Sequence, residues 1–66
     1  MKITLNGQSF ETVEGTTIQT LLEKIDLAQK RVAVLMNDAV VRKAAFGETL
    51  VHDGATIEVV QMVGGG

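Results

Sequence analysis

Lys2-Ile3-Thr4-Leu5-Asn6-Gly7-Gln8-Ser9-Phe10-Glu11-Thr12-Val13 is the stretch that decides the fold. At its centre stands Asn6-Gly7. A two-residue hairpin loop of type I′ needs positive φ at both positions, and Asn-Gly is the strongest short signal for it. With those two in the loop, Leu5 faces Gln8, Thr4 faces Ser9, Ile3 faces Phe10 and Lys2 faces Glu11. The register is self-consistent. Ile3 and Phe10 share one face, while Lys2–Glu11 and Thr4–Ser9 pair on the other.

Outward from the hairpin, residues 17–26 carry Ile18, Leu21, Leu22 and Ile25 at the i, i+3, i+4, i+7 spacing of a helix with one buried stripe. Thr16 with Gln19 fits a capping box. Gln19, Thr20, Glu23 and Lys24 fall on the opposite face, and Ala28-Gln29-Lys30-Arg31 leads out. Val32-Ala33-Val34-Leu35-Met36 is apolar without alternation, the pattern of a strand buried on both faces. Asn37-Asp38 marks a turn. Val40-Val41 reads as a short strand ended by Arg42-Lys43. Phe46 and Leu50 are expected to tuck the 44–51 loop against the core. Asp53-Gly54 is a further turn signal, and residues 56–62 form the last strand.

A hairpin, then a helix, then more strands predicts an α+β domain with one helix across one sheet face. The first strand lies near the last. The expected core is Ile3, Phe10, Ile18, Leu21, Leu22, Ile25, Val34, Leu50, Ile57 and Val59. The domain occupies residues 1–62, and residues 63–66 are a flexible glycine tail.

At 66 residues there is room for one domain, and one of modest stability, because so short a chain buries only about 60% of its unfolded surface. There are no cysteines, so disulfides, thiolate metal sites and a cysteine nucleophile are excluded. The formal charge is −2, against the basic excess usual in nucleic-acid binders. No stretch approaches the ~20 apolar residues of a membrane span. The N-terminus runs straight into a strand pattern with no secretory h-region. An enzyme needs positioned acids, bases, nucleophiles or metals. His52 sits beside a turn, the acids are scattered without paired spacing, and Ser9 has no adjacent base. The only glycine-rich stretch has no helix or lysine after it and cannot be a P-loop.

Val63-Gly64-Gly65-Gly66 remains. Glycine's backbone enters passages too narrow for a side chain, and four extended residues reach roughly 13–14 Å. The tail thus fits two readings. One is a frayed end or expression scar. The other is an arm that carries the Gly66 α-carboxylate into another protein's active site. By alternation Ile57 and Val59 face the core, and Val60 and Met62 face outward just before the tail. That pair is a candidate docking patch.

With this order in view, the chain resembles the sulfur carrier proteins of thiamin biosynthesis, the ThiS family. The likeness runs through Met1-Lys2-Ile3-Thr4-Leu5-Asn6-Gly7, the Leu21-Leu22 helix, Val32-Ala33-Val34 leading to Asn37, and Val40-Val41 before Arg42-Lys43. Leu50 before Asp53-Gly54 follows. The best match is Ile57-Glu58-Val59-Val60-Gln61-Met62-Val63-Gly64-Gly65-Gly66. Ala55, where the family often has an acidic residue, and Phe46, where it often has tryptophan, depart from the pattern. The resemblance implies a β-grasp, ubiquitin-like fold: a mixed four- to five-stranded sheet with one main helix. It implies a cytoplasmic carrier rather than an enzyme, with no bound cofactor. An adenylating enzyme would use ATP to activate the Gly66 carboxylate. A sulfur donor (a cysteine desulfurase or its persulfide) would displace AMP to leave a thiocarboxylate, and thiazole synthase would take the sulfur. Three other readings share parts of the pattern. The small subunit of molybdopterin synthase has the Gly-Gly end but is usually longer. A ubiquitin-like modifier would form an amide to lysine. A plain interaction module would need no free terminus.

Overall fold

The computed structural model describes residues 1–62. Strands β1 (Lys2–Leu5) and β2 (Gln8–Glu11) form the first hairpin, followed by helix α1 (Ile18–Lys24), β3 (Val32–Met36), β4 (Ala39–Val41), a single 3-10 turn at Lys43–Ala45, and β5 (Thr56–Gln61). They build one five-stranded sheet in the order β2-β1-β5-β3-β4. β1 and β5 run parallel at its centre and the other pairs are antiparallel. Parallel neighbours cannot be joined by a tight turn, so the chain leaves β1 and returns through the helix and the β3–β4 hairpin.

The first hairpin has the expected register: Lys2 faces Glu11, Ile3 faces Phe10, Thr4 faces Ser9 and Leu5 faces Gln8. Asn6 and Gly7 take φ of 50° and 81°, the left-handed pair a type I′ turn requires. The β3–β4 hairpin repeats the device with Asn37 and Asp38 at φ of 51° and 71°.

Helix α1 starts one residue later and ends two earlier than the periodicity predicts. The N-cap is Thr17, whose Oγ1 accepts from the Thr20 amide at 3.1 Å. The expected cap, Thr16, is buried instead and donates its hydroxyl proton to the Val13 carbonyl at 2.6 Å. It is 2.8 Å from the Thr12 hydroxyl, which must then be the donor, because Thr16 has only one proton to give. At the other end Asp26 adopts φ 66°. The Leu27 amide returns to the Leu22 carbonyl and the Asp26 amide to that of Glu23, a Schellman closure formed without glycine.

The core lies between α1 and one sheet face. Ile3, Ile18, Leu21, Leu22, Val34, Ile57 and Val59 are buried as expected, with Phe10 and Ile25 packed at its margin. Leu50 is the exception, 48% exposed. Backbone pairing explains it. Residues 49–51 run against residues 16–18, with the Ile18 amide on the Thr49 carbonyl and the Val51 amide on that of Thr16. This bridge turns Val51 inward and Leu50 out. Phe46 does tuck into the core, and Ala55 joins it. β3 also differs from expectation: only Val34 is fully buried and its neighbours are half-covered, and among the described residues no element covers the outward face that Ala33 and Leu35 share.

Candidate functional site

The candidate site lies where β5 ends. β5 is the middle strand of the sheet, and its last residues pair Gln61 with Val32 and Val60 with Ala33. The Met62 amide then donates to the Arg31 carbonyl at 2.9 Å. The last described residue is therefore pinned beside β3, at the end of the middle strand. Val63, Gly64, Gly65 and Gly66, the expected tail, lie outside the described residues.

Alternation along β5 sends Ile57 and Val59 into the core and Glu58 and Val60 out, as expected. Val60 and Met62 are each 54% exposed. The register adds residues that sequence reasoning did not assign to this face. Opposite residues of paired strands point the same way, so Ala33 stands beside Val60, and Leu35 stands between Glu58 and Val40. Val40 is 73% exposed. An apolar strip thus crosses β5, β3 and β4 on the open side of the sheet. The alternation that would have shown it is hidden, because Val32 to Met36 are all apolar. On the β1–β2 side the same face carries Lys2, Thr4, Ser9 and Glu11, all polar.

Topology also sorts the charges. β5 ends beside the start of β3, and β4 is antiparallel to β3. Lys30 and Arg31 before β3, and Arg42 and Lys43 after β4, therefore gather at the end where Met62 leaves the sheet. They are four of the chain's six basic residues. Away from this end, Asp53 has a structural task, accepting the Lys2 amide on Oδ1 at 2.8 Å. His52 is exposed in the adjoining turn. Among the described residues no three His, Cys, Asp or Glu side chains cluster to hold a metal, and no helix is long and apolar enough to cross a membrane.

The ThiS family model matches residues 3–66. The chain belongs to the ThiS family. It is 32% identical over 66 residues to the sulfur carrier protein ThiS of Escherichia coli (strain K12), covering both chains in full. The crystal structure of the thiamine biosynthesis protein ThiS from Geobacter metallireducens superposes with a TM-score of 0.79 at 36% identity, again over the whole of both chains. The β-grasp reading of the sheet and helix therefore holds. A thiazole synthase of Magnetococcus marinus is 41% identical over 66 residues, which are 20% of that protein's length. The two departures from the family pattern, Phe46 and Ala55, are both buried in the core. A change at either alters core packing.

Proposed function

We propose that this ThiS-family sulfur carrier works through its terminal Gly66. The carboxylate oxygen attacks the α-phosphorus of ATP in an adenylating enzyme, and pyrophosphate leaves. A sulfide equivalent from the donor then attacks the acyl-adenylate carbon, AMP leaves, and a thiocarboxylate remains. A free carboxylate is a poor acyl donor to sulfur; adenylation supplies the leaving group. Thiazole synthase consumes the sulfur, and the work takes place in the cytoplasm. The observation that carries the reading is the full-length match to a sulfur carrier, tail included. The thiazole synthase relative supports the partner, since a segment like this chain forms part of it.

The fold supplies what such a carrier needs from its own residues. A pinned strand end at Met62 fixes where the tail starts. Gly64 and Gly65 present no side chain to a narrow channel. Val60 and Met62, extended by Ala33, Leu35 and Val40, form the docking face for the adenylating enzyme. The test is the intact mass of the chain after incubation with that enzyme, ATP and a sulfur source. The expected result is one oxygen-to-sulfur exchange, localised to Gly66 by fragmentation. An unchanged mass with an active enzyme would refute the reading, and an amide link to lysine would replace it with a modifier.

A further inference from the structure

On the helix side of the sheet, beside the point where the tail begins, a groove of about 630 Å3 opens between α1 and the β3–β4 edge. Its apolar wall reaches Leu22, Val34 and Phe46, its rim carries Lys30, Arg31 and Lys43, and Met62 borders it. Among the described residues no Asp or Glu lines it, although the chain as a whole has a formal charge of −2. The three rim cations are exposed, so their charges are available to a visitor and not spent on folding.

We propose that this groove receives an acidic segment with an apolar anchor, a Leu or Phe flanked by Asp and Glu, carried by the protein that handles the tail. The proposal rests on the carrier reading above. Three observations select this occupant. The rim is wholly cationic, so it attracts carboxylates and repels a basic partner. Met62 belongs both to the outer docking face and to the groove, so a partner that holds the tail at its root reaches the groove without a gap. The volume lies in the ~300–1,000 Å3 range of ligand clefts. Yet among the described residues Gln19 is the only neutral polar side chain on it. A small-molecule site needs several convergent polar groups to fix orientation; an anchored peptide needs only an apolar floor and a matching rim.

The probe is an acetylated, amidated peptide, Glu-Asp-Leu-Phe-Asp-Glu, titrated into the nitrogen-labelled full chain. Amide shifts are expected at Gln19, Leu22, Val34 and Phe46. The same peptide with Lys and Arg in place of the acids should bind at least about tenfold more weakly. Arg31→Glu with Lys43→Glu should reverse that preference, and Lys2→Glu, a charge reversal at another site, should not. High salt should weaken the acidic peptide alone. Equal binding of the two peptides, shifts elsewhere, or no shifts would overturn the proposal. So would the same shifts from ATP or pyrophosphate with none from the peptide. A second arm ties the groove to the tail. In the sulfur-loading assay the double variant should raise KM for the chain about tenfold and leave kcat near wild type. A wild-type chain that takes no sulfur sinks the carrier reading, and the peptide result then decides the groove alone. Normal loading of the double variant at unchanged KM overturns this assignment and leaves the carrier reading standing.

Discussion

The two hairpins are built alike and present opposite surfaces. Each closes on a two-residue turn whose first member is Asn with positive φ, Asn6 in one and Asn37 in the other. Each Asn also reaches across to β5. Asn6 Oδ1 accepts the Val59 amide at 2.8 Å, and Asn37 Oδ1 accepts the Thr56 amide at 2.9 Å. Their inward faces share one core under α1. Outward, β1–β2 shows Lys2, Thr4, Ser9 and Glu11, and β3–β4 shows Ala33, Leu35 and Val40 beside Val60. The same local construction therefore serves two ends. Turn chemistry and inward residues hold the fold, and the outward residues separate a polar half from an apolar half.

The largest effect should come from what the hairpins share. Leu22→Ala removes a fully buried side chain from the helix stripe that covers both, at a cost of about 2–5 kcal/mol. Denaturant unfolding reads this directly, and an unchanged midpoint would show that α1 does not hold the two halves together. Next come the Asn staples. Asn6→Ala and Asn37→Ala each lose a hydrogen bond to β5 and force alanine into left-handed backbone, costing roughly 1–3 kcal/mol. The Asn6 bond is the more buried of the two, so its loss should cost more. A larger loss at Asn37 would invert the comparison.

The functional contrast is sharper than the energetic one. Val60→Asp on the apolar half should weaken binding of the adenylating enzyme by placing a charge in a desolvated contact. Ser9→Asp, at an exposed position on the polar half, should not. Both should melt within about 0.5 kcal/mol of wild type, as exposed substitutions usually do. Equal binding by the two variants, or unfolding of Val60→Asp, would dissolve the distinction between the halves. The smallest effect makes the turns alike. Asp38→Gly puts glycine where Gly7 stands in the first hairpin, relieving positive φ and adding about 0.5 kcal/mol of stability. A clear loss would mean that the Asp38 side chain has a role the geometry does not show.

These regions also differ in how legibly their sequences announce them. Asn6-Gly7 between alternating residues yields the first hairpin to the residue, because turn and register are local properties. Ile18, Leu21, Leu22 and Ile25 disclose the helix, but its ends depend on tertiary partners. Thr16 is drawn off the cap by Thr12 and Val13, and Asp26 takes a left-handed cap usually given to glycine. The inward turn of Val51 instead of Leu50 is set by pairing with residues 16–18, which no local pattern reports. Val60 and Met62 were visible from alternation along β5. Leu35 and Val40 were not, since a run of apolar residues does not say which face is covered. The gathering of Lys30, Arg31, Arg42 and Lys43 needs the strand order itself.

The central claim is that Gly66 is the reacting residue and that β5 sets its reach. Appending one alanine after Gly66 moves the carboxylate about 3.3–3.6 Å, and misplacement by even 1 Å costs on the order of 100-fold in rate. The deciding measurement is thiocarboxylate formation by the extended and wild-type chains, followed by intact mass with the adenylating enzyme, ATP and a sulfur source. Loading of the wild type and none of the extended chain is expected, with melting and enzyme binding nearly the same for both. Sulfur loading of the extended chain at the wild-type rate would contradict it.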